Sequence, residues 1–254
     1  ALTHVNGTVR DSAQRLLVEA ADETAVEMLE DIAKSGARDR DRIKALWTLQ
    51  GMNLLKKDLL LASLADVHPM VRTNVIRLLE PWINEDKTFE AITKLRSDEN
   101  FYVRRQVALS ASMRYGPKAI FFLLEQLGNV ENKKFRSAAL ASLMGREREA
   151  LDLVAISNAL DADTPLNRKT LAAIVLQLLD AKNENTNTKL LDFATKQAKQ
   201  HAWQSDVVLS AILAKQRQKQ LRLARKPKRY NELFETVSSS LYEVSSALND
   251  FLWW

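Results

Sequence analysis

Only three histidines, His4, His68 and His201, are available as metal ligands or proton carriers in this chain of 254 residues. A metal site on a helix requires two ligands three or four residues apart, so that both side chains reach the same ion. No pair of these histidines has that spacing. We therefore expect all three to lie in turns or on the surface rather than in a metal centre.

The sequence lacks other catalytic arrangements as well. The absence of Cys excludes a thiol nucleophile, a thiolate metal site and a covalently attached c-type haem. Neither a glycine-rich phosphate loop nor a Gly-x-Ser-x-Gly nucleophile motif occurs. Carboxylates such as Glu27, Glu30 and Asp31 are plentiful, and we expect them to be solvating charges on exposed faces. The sequence therefore predicts no active site and no cofactor in this chain.

An arginine recurs every 32 residues, and this repeat indicates which elements the chain forms. The positions three and seven residues after each arginine are apolar, and so is the position twelve residues before it. Because residues three and four apart lie on one side of a helix, each period contains one helix after the arginine and another helix before it. The five arginines are Arg40, Arg72, Arg104, Arg136 and Arg168.

Each period is therefore predicted to be a helix hairpin, and the fold to be all-α. Six Gly and five Pro are too few for the turns of a β-sandwich of this length. Polar turns such as residues 65–69 and 97–100 separate the helices, and their Asp and Asn side chains are expected to cap the following helix. One hairpin cannot bury its apolar face alone, so we predict an α-solenoid of about six stacked hairpins over residues 1–215.

The pattern Asp-x-x-x-x-Val-Arg-x-x-Val runs from Asp66 to Val75 and again from Asp98 to Val107. It resembles HEAT repeats of the short, phycobilisome-lyase-like kind. The resemblance implies that each arginine and the preceding aspartate lie near the turn between the helices and bond to neighbouring turns. We interpret the five arginines, with Asp66 and Asp98, as a structural ladder in which Arg104 holds Asp98. A basic stripe that binds a ligand is the alternative.

A second resemblance covers roughly residues 1–110. Residues 6–19, Asn-Gly-Thr-Val-Arg-Asp-Ser-Ala-Gln-Arg-Leu-Leu-Val-Glu, and residues 44–51, Lys-Ala-Leu-Trp-Thr-Leu-Gln-Gly, look like the opening of the HEAT region in large secreted bacterial dehydrogenases. There the region follows a β-propeller similar to pyrroloquinoline-quinone sugar dehydrogenases. The resemblance implies a periplasmic or extracellular module of, or beside, such an enzyme, whose chemistry would lie elsewhere. Because the chain starts at Ala1, we also expect it to be processed or part of a longer protein.

The positive charge of the chain is concentrated in one run. Residues 215–229 carry eight Lys and Arg and no acidic residue, so the formal net charge of +5 becomes −3 for the remainder. We predict a basic connecting segment over residues 216–229, with Arg217, Arg222, Arg225 and Lys226 as candidate partner contacts. The run lacks interleaved aromatic residues that would stack on bases, so we expect weak, sequence-independent binding of polyanions.

Residues 230–254 carry large apolar residues spaced alternately three and four apart, which predicts an amphipathic helix. Such a helix must bury its seam, and repeat arrays need a cap over their last apolar face. We predict that it caps the solenoid, and docking on another subunit or domain is the alternative. Trp253 and Trp254 end the chain and are candidate partner contacts. The seam consists of Phe234, Val237, Leu241, Val244, Leu248 and Phe251.

Three earlier aromatic residues are further candidates for partner binding: Trp82 just after a helix, and Phe101 and Tyr102 in a predicted turn. Two functional hypotheses follow. We favour a non-catalytic scaffold that docks another protein domain or subunit. The alternative is a nucleic-acid-binding solenoid that uses residues 215–229, and the negative charge of the remaining chain argues against it. No stretch approaches the roughly 18 apolar residues that a membrane helix needs.

Overall fold

A computed structural model describes residues 1–181 and 184–217 of the chain. These residues form helices joined by short turns and contain no β-strand, which confirms the predicted all-α solenoid class. Thirteen α-helices occur among them. They are α1 Gly7–Ala20, α2 Val26–Ser35, α3 Asp39–Gly51, α4 Lys57–Ser63, α5 Pro69–Leu78, α6 Asp86–Thr93, α7 Phe101–Ala111, α8 Pro117–Asn129, α9 Lys133–Ala141, α10 Glu147–Ile156, α11 Pro165–Asp180, α12 Glu184–Gln197 and α13 Ala202–Arg217.

The helices after α1 follow one another as six hairpins, each made of a first and a second helix. The second helices α3, α5, α7, α9 and α11 begin at intervals of 30, 32, 32 and 32 residues, close to the predicted period. The chain divides into two compact units, residues 1–115 and residues 116–254. Unit 1 contains α1 and three hairpins, and the described part of unit 2 contains the other three.

Polar side chains begin several of the second helices. The side-chain oxygen of Asn100 accepts a hydrogen bond from the backbone N–H of Tyr102 at 2.9 Å, at the start of α7. Thr164 caps α11 in the same way, through the N–H of Asn167 at 3.1 Å. These bonds satisfy N–H groups that have no partner in the first helical turn. Proline occupies the start of α5, α8 and α11, where its missing N–H is not needed.

In unit 1 the second helices pack side by side, α1 on α3, α3 on α5 and α5 on α7. The first helices α2, α4 and α6 each pack on the second helix of their own hairpin. Predicted core positions lie between the two layers: Val75, Leu79, Val107 and Ala111 are at most 1% exposed. Burying an aliphatic side chain the size of Val or Leu stabilises the fold by about 1.5–3 kcal/mol, so these columns hold the hairpins together.

The predicted core columns fail in the first repeat and, in the last repeat, only at the position twelve residues before the arginine, since Leu171 and Val175 are fully buried. Trp47, predicted to be buried, is only half-buried, and Leu49 two residues later is fully buried in its place. The reason is that α3 and α5 begin only 30 residues apart, so the period of 32 selects the wrong face of α3. Met28 and Ile156, also predicted in the core, are 54% and 82% exposed.

Helix α13 in unit 2 is buried on all sides. Every residue from Trp203 to Ile212 is buried, and the helix packs on α11 and α12. Two of its polar side chains bond inward: the indole N–H of Trp203 donates to the carbonyl of Asp161 at 3.2 Å, and the amide of Gln204 donates to the carbonyl of Leu160 at 3.0 Å. Such burial around the whole circumference is typical of an interior helix.

Two predicted C-terminal segments fall largely outside the described residues. Helix α13 continues to Arg217 and so includes the first two positions of the basic segment 216–229. The rest of that segment and the whole predicted helix 230–254 lie beyond residue 217, so the boundaries there stay predictions. Among the helices that the structure describes, none is long and apolar enough to span a membrane.

Candidate protein-interaction surface

Two arginine–aspartate pairs link neighbouring repeats of unit 1 at the turns between first and second helices. Arg42 donates from Nε and Nη2 to the two carboxylate oxygens of Asp66, at 2.7 and 2.8 Å. Arg72 binds Asp98 in the same way, with both distances 2.8 Å. The four side chains are at most 10% exposed, so salt screens these pairs little. Each pair therefore fixes the separation of two consecutive turns.

The same groups also bind their own turns. Nη1 of Arg72 donates to the backbone carbonyls of Asp66 and Val67, at 2.8 and 3.2 Å. The Asp98 carboxylate accepts the backbone N–H of Asn100 at 2.9 Å, and the first pair makes equivalent bonds. Each charge is thus bonded both to its partner and to a turn. Removing one partner of a pair would leave the other charge buried without its counter-charge.

The first ladder arginine is Arg42, and the prediction of Arg40 is wrong. Arg40 is exposed, and no carboxylate of the described residues lies within ion-pair distance of it. The shortened first repeat moves the buried position two residues along the chain. Arg10, 32 residues before Arg42, donates to the carbonyls of His4 and Val5 at 2.7 and 2.9 Å, which are the bonds that a ladder arginine makes to its own turn.

Arg104 does not hold the Asp98 carboxylate as predicted. Its Nη1 donates instead to the backbone carbonyls of Asp98 and Glu99, at 2.6 and 2.9 Å. The carboxylate of Asp98 is occupied by Arg72, from the preceding repeat. The residue 32 positions after Asp98 is Val130, which has no carboxylate. In the two pairs, the side-chain bonds thus run from Arg42 and Arg72 to the aspartate of the following repeat.

The arginines of unit 2 make different bonds. Arg136 donates from Nη1 to the carbonyl of Leu127 and from Nη2 to the hydroxyl of Thr170, the latter at 2.9 Å. Burial lowers the pKa of Arg136 below its ordinary value, since desolvation disfavours the charged form. Arg168 binds both carboxylate oxygens of Asp163, in its own turn, at 2.6 and 2.9 Å. It therefore does not link one repeat to the next through this carboxylate.

The two ladder aspartates, Asp66 and Asp98, have lowered pKa values. Burial by itself would raise the pKa of Asp98, but the hydrogen bonds from Arg72 and from the N–H of Asn100 hold that pKa below its ordinary value. The pKa of Asp66 is lowered through Arg42 in the same way. Both carboxylates therefore stay ionised at neutral and mildly acidic pH, as the ion pairs require.

A groove of about 690 Å³ opens between α2 and α4 beside the first of these pairs. Its charged groups already bind one another: Lys56 Nζ lies 2.8 Å from Glu30 Oε1, and Lys34 Nζ lies 3.6 Å from Glu30 Oε2. The hydrogen bond from Lys56 holds the pKa of Glu30 below its usual range, despite an opposing effect of burial. The lining contains three cations and three carboxylates, so the groove carries no net charge.

The histidines lie in turns or at helix starts. His68 caps α5 by accepting the N–H of Met70 at 3.3 Å, and its Nδ1 is 3.4 Å from Asp39. His201 Nε2 is 3.9 Å from Asp161. Within residues 1–181 and 184–217, no group of three or more His, Cys, Asp or Glu is placed to hold a metal ion.

The second helices of unit 1 share an exposed face that sequence reasoning missed. It consists of the positions at −2, +2, +5 and +9 relative to the ladder arginine, which lie within about 60° of one another around a helix. None of its residues is buried, whereas the positions at +3 and +7 are. This open face comprises Arg40, Lys44, Trp47, Gly51, Met70, Asn74, Arg77, Pro81, Tyr102, Gln106, Leu109 and Met113.

Side-chain hydrogen bonds join neighbouring helices across the open face. The indole N–H of Trp47 on α3 donates to the side-chain oxygen of Asn74 on α5, at 2.9 Å. Gln106 on α7 donates to Glu80, just after α5, at 3.2 Å, and the Ser110 hydroxyl donates to the same oxygen at 2.7 Å. These bonds hold the three helices in register, so the open face is a built surface rather than three independent ones.

The predicted partner residues are distributed unevenly. Tyr102 belongs to the open face, is 59% exposed and meets the Phe101 ring edge-on at a centroid distance of 5.7 Å. Phe101 and Trp82 are half-buried. The other candidates lie outside the described part of the chain: the side chain of Arg217, and Arg222, Arg225, Lys226, Trp253 and Trp254.

Residues 58–144 match the family model of HEAT repeats. No curated protein matches the chain. HEAT repeats commonly mediate protein interaction. These comparisons do not support the further resemblance to secreted dehydrogenases. The chain is thus similar to HEAT-repeat proteins in sequence from α4 to α9 and forms an all-α solenoid of helix hairpins.

Proposed function

We propose that this chain is a scaffold that binds another protein through the open face of unit 1. The observation that carries the proposal is the composition of that face, where Met70, Tyr102 and Met113 are 44%, 59% and 53% exposed beside Trp47 and Arg77. Aromatic residues, Met and Arg are the types enriched at protein interfaces. The match to HEAT repeats supports the same role.

The scaffold is proposed to act without catalysis of its own. The ladder arginines Arg42 and Arg72 bond to aspartates, and Arg104 bonds to backbone carbonyls, which supports a structural role for them. The open face offers apolar contacts and cations but no nucleophile paired with a base. On this view the chain contributes recognition, and any chemistry belongs to the protein it binds.

The partner or parent is proposed to be a secreted bacterial dehydrogenase-like protein, which would place the chain in the periplasm or outside the cell. The support is the resemblance of residues 6–19 and 44–51 to the HEAT region of such enzymes. Sequencing the complete open reading frame tests this. An upstream β-propeller would support the assignment, and unrelated flanking sequence would contradict it.

A second candidate function is nucleic-acid binding through residues 215–229, favoured by their eight positive charges. Lys215, the first of them, lies 2.5 Å from Asp180. Non-specific phosphate contacts give dissociation constants of about 10⁻⁴ to 10⁻⁶ M at physiological salt. Nanomolar binding of a duplex oligonucleotide near 150 mM salt would favour this function over the scaffold.

Site-specific photocrosslinking tests the scaffold directly. Tyr102 is replaced by a photoreactive benzoylphenylalanine, and the matched control carries the same group at Arg96, an exposed position in the turn after α6. We expect one defined protein to be crosslinked from position 102 in cells of the source organism, and not from position 96. Equal crosslinking from both positions, or none from position 102, would contradict the proposal.

A further inference from the structure

The open face has a small, largely apolar groove towards the C-terminal ends of its helices. The groove measures about 310 Å³ and is lined by the half-buried Trp47 and the exposed Pro81 and Met113, with the buried Leu78 among its lining residues. This volume is at the lower end for a ligand pocket, so it suits a single large side chain better than a whole small molecule. Trp47 is held in place by its bond to Asn74, which preorganises the wall.

The groove lies beside positive charge that has no counterpart. Arg77 lines the groove and Arg40 lies on the same face, and no described carboxylate lies within ion-pair distance of either. Lys44, the third cation of the face, is neutralised by Asp11 at 2.5 Å. Among the described residues that line the groove, the one acid is Glu80, which is half-buried and already accepts hydrogen bonds from α7.

This positive charge is confined to the open face, since unit 1 as a whole carries equal numbers of positive and negative side chains. Residues 1–115 contain 17 Lys and Arg and 17 Asp and Glu, yet the open face contains three cations and no acid. A partner that meets this face therefore gains from negative charge, because opposite potentials across an interface speed encounter and select the partner.

Protein fits this face better than nucleic acid does. Binding a phosphate backbone requires a track of several cations, whereas among the described residues of this face only Arg40 and Arg77 lack an ion-pair partner. The remaining surface is dominated by the flexible apolar side chains of Met70, Leu109 and Met113, which adapt to apolar partners. A peptide supplies both an apolar anchor and nearby carboxylates.

We infer that the open face of unit 1 binds an extended acidic segment of a partner protein, with one aromatic or large aliphatic side chain inserted between Trp47, Pro81 and Met113. Carboxylates on the segment pair with Arg77 at the groove and with Arg40, about two helical turns before Trp47 on α3. This inference rests on the proposed scaffold function and specifies the chemistry of its partner.

The test uses the full chain and defined probes in fluorescence anisotropy. The main probe is a labelled peptide of about 12 residues, about 40 Å when extended, with Glu on both sides of one central Trp. Three matched probes replace Glu by Lys, replace Trp by Ala, or are a single-stranded oligo-dT of similar length. Measurements are made at about 50 mM salt, where charges are weakly screened, and repeated at about 500 mM.

We expect the Glu–Trp peptide to bind at least about tenfold more tightly than the Lys and Ala peptides, and to weaken at high salt. Arg77→Glu and Met113→Ala should each weaken it, the former by about tenfold or more. Arg96→Glu, an equal charge change off the open face, should leave binding within about twofold. Circular dichroism verifies that each variant keeps its helix content.

Three results would overturn the inference. They are equal binding of the Glu and Lys peptides, equal effects of Arg77→Glu and Arg96→Glu, and tighter binding of oligo-dT than of the Glu–Trp peptide. If a partner is crosslinked from position 102 while the Glu–Trp peptide fails to bind, the scaffold stands and the acidic-segment assignment is wrong. If crosslinking fails as well, both are wrong.

Discussion

Removing the Arg72 guanidinium should destabilise the protein more than removing that of Arg104, although the two occupy equivalent positions 32 residues apart. Arg72→Ala leaves the Asp98 carboxylate, which is 6% exposed, with a backbone N–H but without its bidentate cation. Taking away one partner of a buried ion pair costs about 3–5 kcal/mol. Arg104→Ala removes two hydrogen bonds to carbonyls, and leaving such groups unsatisfied costs about 1–3 kcal/mol.

The two variants should therefore differ by about 2 kcal/mol in the free energy of unfolding, or by about 4–8 °C in Tm for a chain of this size. Urea denaturation and calorimetry measure these quantities. Arg77→Ala is the matched control, since Arg77 is exposed and has no described carboxylate partner, and it should stay within about 0.5 kcal/mol of wild type. Replacing both Arg72 and Asp98 by apolar residues should restore part of the loss.

Equal destabilisation by Arg72→Ala and Arg104→Ala would refute the reasoning, because it would mean that the bidentate pair adds nothing to the bonds within the turn. A loss below about 1 kcal/mol for Arg72→Ala would refute it as well, since a surface ion pair costs no more than that.

Three further predictions follow from the structure. The stability that Asp98 contributes is present above the unfolded-state pKa near 3.9 and is lost as the pH falls through the lowered pKa of the folded state. Asp98→Asn should therefore be less stable than wild type at pH 7 and should lose less stability on acidification. Urea titrations at several pH values measure both effects. Burial raises the pKa of Asp206, so the stability that its protonated form contributes is lost as the pH rises. Asp206→Asn should therefore raise Tm at pH 7 and lose that advantage below about pH 4. The control Asp152→Asn, at an exposed position, should change Tm at neither pH. Truncation after Arg229 should give a destabilised, aggregating protein in thermal and light-scattering measurements if residues 230–254 cap the array; an equally stable, soluble product would indicate a docking helix instead.

The hairpins could be predicted because the buried columns at +3 and +7 recur with every repeat. The choice between Arg40 and Arg42 could not, since both stand at the start of the same helix and only packing of that helix on its neighbours selects which is buried. In the sequence, Asp66 and Asp98 each have two candidate partners: the arginine six residues later and the arginine 24 to 26 residues earlier. Only the three-dimensional stacking shows that the earlier arginine binds the carboxylate.

The open face was predictable in principle but required the corrected register. Once Arg42 replaces Arg40, helix geometry places Trp47, Arg77 and Leu109 in one row, directly opposite the core. With Arg40 as the reference, Trp47 falls on the core side and the row is lost. A shift of two residues in one repeat thus concealed the surface.

The direction of the arginine–aspartate bonds gives a repeat of unit 1 an acceptor on one side and a donor on the other, so that successive repeats join in a single orientation. A segment from Asp66 to Ser97 begins with an acceptor for the preceding arginine and carries, in Arg72, a donor for the following aspartate. Duplicating this 32-residue segment would leave every guanidinium and carboxylate at the new joint paired, so the array can lengthen by whole copies. An insertion of half a copy would leave one buried charge without its partner. The ion pairs at the turns therefore favour lengthening of the array only by complete repeats.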